Sequence, residues 1–232
     1  MHNPFKKDLT EADVANVQQI LNEFDIVKVD RPAPSSTMRL SQIMHDDAAG
    51  VGRRQSDLQQ LAGAMDDMAS SGTDPTNELV KTIIYTFGVR LYELALTRVI
   101  PVDAINTACT YFEFAVKLDP QYYQAYNRLG DTWIWIPDEQ DIITTIGCYK
   151  ASLNVHGQGR SSTAMFVGGG DERFKGNNYF KIGMCLARLK RVDDAILFIS
   201  YAQRFIDDDD DMYSELGFEN WSQVYERIQT ER

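Results

Sequence analysis

Histidine is the side chain that most often acts as a base or a metal ligand, and this chain has three: His2, His45 and His156. No His-Glu-x-x-His or Gly-x-Ser-x-Gly motif is present to build a metal centre or a serine nucleophile. His45 precedes Asp46 and Asp47, but consecutive side chains on a helix point in different directions. We therefore predict no catalytic residue and no metal site. An enzyme that uses the loop around His156 is the least supported alternative.

The three cysteines, Cys109, Cys148 and Cys185, stand alone in apolar segments. No Cys-x-x-Cys pair occurs, and no histidine follows at the spacing of a zinc site. We expect buried free thiols, which are common in helical cores.

Two further stretches contain residues that bind ions in other proteins. The sequence GGGDERFKG, residues 168–176, contains a glycine-rich run, but it lacks the Gly-x-x-x-x-Gly-Lys-Ser/Thr spacing of a phosphate loop and has no preceding strand. Residues 207–211 are five consecutive aspartates, without the alternating ligands and turn glycine of a calcium loop. We interpret the first as part of a contact loop or lid. The second is interpreted as a solvated cap at the start of the last helix, with docking onto a basic partner as an alternative.

Charge and hydropathy exclude several kinds of partner. The chain has 232 residues and a formal net charge of −11, whereas a nucleic-acid-binding protein needs clustered Lys and Arg. No apolar run reaches the roughly 18–20 residues that cross a bilayer, and the first residues do not resemble a secretory signal. We expect a cytoplasmic protein without membrane insertion, cofactor or nucleic-acid partner.

Helical periodicity begins near the N-terminus. Thr10 is a suitable N-cap, and it is followed by apolar residues three or four positions apart, which indicates a first helix. Residues 35–48 and the stretch around Leu58–Met68 predict two more helices, separated by breaks that contain Pro32, Pro34, Gly50 and Gly52. We assign residues 1–74 to an N-terminal helical segment with Pro/Gly-rich linkers.

An internal repeat begins after Glu78. Each unit of the repeat is a pair of helices. In one unit the second helix has a small, an aromatic and again a small residue at regular spacing, and Pro120 follows its end. The first helix of the next unit has a large residue, Leu, Gly and an aromatic residue, in this order. These positions are Ala108, Phe112 and Ala115, then Tyr126, Leu129, Gly130 and Trp133. A clearer copy has Tyr179, Ile182, Gly183 and Leu186, then Ala195, Ile199 and Ala202.

This pattern resembles the tetratricopeptide repeat (TPR), in which antiparallel helix pairs touch where side chains are small. The middle unit fits less well, because Thr144 and Cys148 replace the usual residues, and Gly88 is a candidate for the glycine of the first unit. The resemblance implies an all-α fold, a TPR-like α-solenoid of about three helix hairpins over residues 75–232. We also predict an inserted loop at 154–176 and a capping helix at 212–229.

The resemblance also implies a function, because TPR proteins bind peptides or helices in a concave groove lined by the first helix of each unit. In this chain the corresponding positions are Gln124, Asn127, Asp131, Ile134, Trp135, Asn177, Phe180, Met184 and Arg188. The subclass that grips C-terminal carboxylates is not predicted, because Asp131, Phe180 and Met184 replace its amide and lysine residues. We expect a non-enzymatic adaptor or scaffold for a protein or peptide partner. Two alternatives stay open: a structural subunit of a larger assembly, and a groove filled by the N-terminal helices.

Overall fold

The computed structural model describes residues 3–51, 56–97, 103–134, 139–157, 171–206 and 212–231. Within these ranges every regular element is helical and no strand occurs, so the predicted all-α class is confirmed. The α-helices are α1 Glu11–Asn22, α2 Thr37–Val51, α3 Ser56–Ser70, α4 Glu78–Leu96, α5 Ala104–Leu118, α6 Tyr123–Trp133, α7 Glu139–Gly157, α8 Asp171–Arg188, α9 Val192–Ala202 and α10 Trp221–Gln229. Two short 3₁₀-helices are Gln203–Phe205 and Met212–Leu216.

The start of α1 is the one predicted from the sequence. The Thr10 hydroxyl oxygen accepts a hydrogen bond from the Asp13 backbone N–H at 3.2 Å, and the Asp13 carboxylate accepts one from the Thr10 N–H at 2.9 Å. This reciprocal capping box satisfies two backbone donors that a helix start leaves without partners. Hydrogen bonds from the Thr10 backbone N–H and from its hydroxyl to the Asp13 carboxylate hold the Asp13 pKa below its ordinary value.

Three predicted boundaries differ from the structure. The apolar spacing of residues 77–100 predicts one long helix, and in the structure this helix ends at Leu96. The loop expected at 154–176 is helical at both ends, since α7 continues to Gly157 and α8 begins at Asp171. The single capping helix expected at 212–229 is two elements. Gly217, with φ of +81°, ends the 3₁₀-helix, and Asn220 caps α10 by accepting a bond from the Gln223 N–H at 3.0 Å.

The chain divides into two compact units, Lys28–Thr132 and Met1–Val27 together with Trp133–Arg232. These limits do not coincide with the predicted boundary between residues 74 and 75. The difference has a packing cause in each unit. In Lys28–Thr132, α3 packs on α4 across that boundary. In the other unit, residues near the N-terminus share one core with α8, α9 and α10.

The unit Lys28–Thr132 contains two antiparallel helix hairpins, α2 with α3 and α4 with α5. In the second, Lys81 Nζ lies 2.9 Å from Asp119 Oδ2, whereas six residues later Phe87 packs on Tyr111 with ring centroids 4.7 Å apart. Residues early in α4 thus meet residues late in α5, as in a hairpin. Burial alone would lower the Lys81 pKa, but the carboxylates of Glu78 and Asp119 outweigh it and raise the pKa.

The other unit contains a third hairpin, α8 with α9. The rings of Tyr179 and Tyr201 lie 4.8 Å apart, and Gly183 meets Ile199 nearer the turn. The turn itself is closed by Lys190, whose φ is +64° and whose N–H donates to the Ala187 carbonyl oxygen at 2.8 Å.

The close approaches fall where the repeat pattern places glycine. A Cβ atom on Gly183 would lie 2.7 Å from Ile199 Cγ1, and one on Gly88 would lie 3.0 Å from Tyr111 Cβ. Both distances are shorter than carbon atoms tolerate without a shift. Gly183 and Gly88 thus lie where α8 approaches α9 and α4 approaches α5 too closely for a larger side chain.

A helix that crosses a bilayer needs about 20 consecutive, mostly apolar residues. In the described ranges, no helix combines the length and the apolar character needed to span one.

Candidate functional site

The predicted groove positions on α6 are largely buried. Gln124 is 7% exposed and Asp131 is 6% exposed, while Asn127 is half-buried. The Asp131 carboxylate pairs with Arg128 at 3.2 Å, and its backbone oxygen accepts a hydrogen bond from the Tyr92 hydroxyl at 3.2 Å. Asp131 therefore joins α6 to α4, and of the three side chains Asn127 has the most solvent access.

The predicted positions on α8 divide in the same way. Phe180 is completely buried, with its ring 5.5 Å from that of Trp221 in α10, and Trp221 in turn packs on Phe5 at 5.9 Å. The expectation that Phe180 lines an open groove is wrong in this structure, because α10 and the N-terminal segment cover it. Met184 is 9% exposed, and Asn177 is half-buried.

Arg188 and Ile134 form one contact of the predicted groove. Arg188 Nη1 donates to the Ile134 backbone oxygen at 2.6 Å, and both side chains are half-buried. This bond holds the end of α8 against the residue that follows α6. Trp135, the remaining predicted position, lies outside the described residues.

A cleft that was not predicted opens between α1, α7 and α8, with a volume of about 270 Å³. Its lining combines amide, ammonium, phenol and leucine side chains. The lining residues are Gln18, Leu21, Asn22, Lys150, Leu153, Asn154, Gly157, Lys175 and Tyr179.

The segment after α1 is fixed against α7, and this contact holds one wall of the cleft. A Cβ atom on Gly147 would lie only 2.6 Å from the Asp25 backbone oxygen, so the two backbones nearly touch. Lys150 Nζ donates to the Phe24 backbone oxygen at 2.7 Å, and Arg191 Nη1 lies 2.6 Å from Glu23 Oε2. Together these contacts position α1 above α7 and α8.

One of the two segments that build the cleft is basic, the one that contains α7 and α8. Residues 142–192 contain eight Lys or Arg residues against two acidic ones, Asp171 and Glu172, in a chain with a net charge of −11. Within 142–170 no acidic residue occurs at all. A local positive potential in an acidic molecule attracts an anionic group to one place and disfavours it elsewhere.

The groups in the cleft have defined hydrogen-bonding roles. Lys175 Nζ lies 2.9 Å from the exposed carboxylate of Glu172, while Lys150 bonds to a backbone oxygen. Burial raises the Tyr179 pKa, with a further contribution from Tyr201, although a hydrogen bond with Gln18 lowers it. The phenol is therefore neutral at physiological pH and can donate a hydrogen bond.

His45 was considered as part of a metal or catalytic group, and the structure assigns it a different partner. Its Nε2 lies 2.7 Å from Asp66 Oδ2 of α3, and the Ser41 hydroxyl donates to the other oxygen of the same carboxylate. The imidazole is thus directed at the acid and is not aligned to take a proton from Ser41, as a serine nucleophile would require. Asp47 also points away from His45, since its carboxylate accepts a bond from the Tyr111 hydroxyl at 2.7 Å.

The remaining candidate residues are placed as follows. Cys148 and Cys185 are buried free thiols as expected, whereas Cys109 is only half-buried. The His156 ring packs on Phe174 at 4.7 Å. Among the described residues no group of three or more His, Cys, Asp or Glu is arranged to hold a metal ion. The glycines 168–170 and the aspartates 207–211 lie outside the described residues.

Sequence reasoning missed the cleft for two reasons. The contact at Gly147 joins residues more than a hundred positions apart, and no local spacing reports such a contact. The net charge was weighed for the whole chain, which concealed the basic segment. The absence of Asp and Glu over 142–170 was the available signal.

Comparison with protein-family models, with curated proteins and with solved structures gives no significant match to this chain.

Proposed function

We propose that the protein is a non-enzymatic adaptor with a TPR-like arrangement of helix hairpins, which binds a protein or peptide partner through side chains of α6 and of α8, the first helices of two repeat units. The observation that carries the proposal is that Gly88 and Gly183 each lie in close contact with the partner helix of their own hairpin. Recurrence of one packing device in two helix pairs is typical of repeat proteins.

Fewer of the predicted groove positions are accessible to a partner than the sequence indicated. Asn127 and Asn177 are half-buried and lie on α6 and α8, the helices that correspond to the first helices of their units. Amide side chains at such positions hydrogen-bond the backbone of a bound peptide. Phe180 contributes to the core beneath α8, so its truncation would test stability and not binding.

The proposed absence of catalysis rests on the geometry of the polar groups. His45, the histidine best placed to serve as a base, is paired with Asp66, and Ser41 bonds to the same carboxylate. The described structure therefore supports a structural role for this cluster, in which α2 is tied to α3.

Selection from a displayed random-peptide library, followed by affinity measurement, tests this function. The variant pair Asn127→Ala and Asn177→Ala should weaken binding of the selected peptides about five- to tenfold, because each lost amide removes about one hydrogen bond. Asn106→Ala is the matched control, since Asn106 is exposed on α5, a second helix of a hairpin. Light scattering measures the oligomeric state and so tests the alternative. A stable oligomer for which the library yields no binding peptide would support a structural subunit instead.

A further inference from the structure

We propose that the cleft between α1, α7 and α8 binds the carboxylate side chains of an acidic segment in the partner. This inference rests on the proposed binding function and specifies the chemistry of the partner. Its basis is that two lysines, Lys150 and Lys175, line one cleft of about 270 Å³ and belong to a basic segment of an acidic chain.

Each ammonium group retains capacity for a ligand. A lysine ammonium has three N–H donors, and the hydrogen bond of Lys150 to the Phe24 backbone oxygen uses one of them without neutralising the charge. The partner of Lys175 is Glu172, whose side chain is 61% exposed, and such a surface pair exchanges readily for another carboxylate.

The other lining groups suit an acidic side chain. The amides of Gln18, Asn22 and Asn154 can donate to the remaining lone pairs of a carboxylate, which accepts several hydrogen bonds. Leu21 and Leu153 provide apolar contacts for the methylene groups of a glutamate. A site of this volume holds one or two side chains of a peptide.

An acidic peptide fits better than a nucleic acid. A nucleic acid requires a row of cations along its phosphates. The neighbouring cations of the basic segment are engaged elsewhere: Lys190 pairs with Glu231 at 2.9 Å and Arg191 with Glu23 at 2.6 Å. Of the described residues, the cationic ones that line the cleft are Lys150 and Lys175. Two cations in one cleft match carboxylates clustered in a short peptide.

The test uses the full chain and a fluorescent oligoglutamate peptide, with an oligoserine peptide of equal length as the uncharged control, and measures fluorescence anisotropy at low and at physiological salt. Wild-type protein should bind oligoglutamate and not oligoserine. The variants Lys150→Gln and Lys175→Gln together should weaken oligoglutamate binding about tenfold or more. Raised salt should also weaken binding of oligoglutamate to the wild type, because salt screens the charges. Lys7→Gln, a change at an exposed lysine outside the cleft lining, should have no effect.

Three results would overturn the proposal: no binding of oligoglutamate, equal binding by the double variant and the wild type, or displacement of the peptide by a short RNA at lower concentration than by free oligoglutamate. If Lys150→Gln lowers the melting temperature by loosening the Phe24 contact, Lys175→Gln alone decides the question. Peptides selected by the wild type that bind the double variant unchanged would exclude this cleft and leave the adaptor function standing.

Discussion

At the scale of single residues, the chain places glycine where helices nearly touch and polar pairs where they must stay in register. Gly183 was identified from the repeat pattern because Tyr, Ile, Gly and Leu recur at fixed spacing around it. Gly147 was not, because its contact is with the backbone of residues 25–27, far away in the sequence. Local spacing thus predicts contacts within a hairpin and misses contacts between distant segments.

Gly183→Ala should destabilise the protein by about 1–3 kcal/mol, because the new methyl group would lie 2.7 Å from Ile199 Cγ1 and 3.1 Å from the Ala195 backbone oxygen. Gly63→Ala is the matched control: Gly63 is also within a helix, but nothing lies within 4 Å of its added Cβ. There the better helix propensity of alanine should stabilise the fold by about 0.5–1 kcal/mol. Urea denaturation measures both values. Equal effects of the two changes would refute the close packing of α8 on α9.

The Asp47 and Tyr111 pair gives a prediction about pH. Burial raises the Asp47 pKa above its ordinary value of 3.8, a hydrogen bond from Tyr111 opposes this, and Asp46 adds to the rise. A carboxyl with a raised pKa in the folded state takes up its proton more readily there than when unfolded. This group therefore increases stability as the pH falls from neutral through its folded pKa, and the gain is complete below 3.8.

Asp47→Asn should abolish this pH-dependent contribution while keeping an acceptor for the Tyr111 hydroxyl. Asp47→Ala should instead lose about 1–3 kcal/mol at neutral pH, because the hydroxyl of the completely buried Tyr111 would lose that partner. Thermal unfolding between pH 7 and pH 4 compares wild type with both variants. A wild type that loses stability relative to Asp47→Asn on acidification would contradict the assigned direction of the pKa shift.

At the scale of elements, the sequence predicted helices where capping and periodicity agree and was less accurate at breaks. The Thr10 cap located α1, and small residues located α8 and α9. The predicted capping helix over 212–229 joined two elements, because the apolar spacing of its residues continues through Gly217 and Asn220. At those two residues, turn and capping chemistry overrides periodicity.

Gly147→Ala should detach the segment after α1 from α7. The Asp25 oxygen that its methyl group would meet at 2.6 Å belongs to the backbone, which cannot rotate aside as a side chain can. Hydrogen exchange should therefore accelerate at the α1 amides more than at those of α4. Gly157→Ala, on the same helix with open space around its added Cβ, is the control. Unchanged exchange in α1 would show that this contact does not hold the wall of the cleft.

At the scale of the whole molecule, charge is distributed unevenly. Residues 142–192 are basic although the chain is acidic overall, and six of the nine residues that line the cleft belong to this segment. Net charge alone argued against a nucleic-acid partner. The local distribution favours a small acidic target and still opposes a long polyanion, because the rest of the chain repels it.

The helix class followed from the sequence, but the division of the chain did not. The segment before residue 28 joins the C-terminal helices through Phe5, Val17 and Leu21 in their core, and a boundary placed by Pro and Gly content does not anticipate this pairing. The exposure of Phe180 was also overestimated. The aromatic residues that cover it, Trp221 and Phe5, lie near opposite ends of the sequence.

The most direct test of the account is a calorimetric titration of a library-selected peptide into wild-type protein, into the Asn127→Ala/Asn177→Ala variant and into the Asn106→Ala control. The account predicts saturable one-to-one binding without consumption of the peptide, weakened about five- to tenfold in the double variant and unchanged in the control. Equal affinity in all three proteins, or no saturable binding by the wild type, would contradict the claim that Asn127 of α6 and Asn177 of α8 contact a partner.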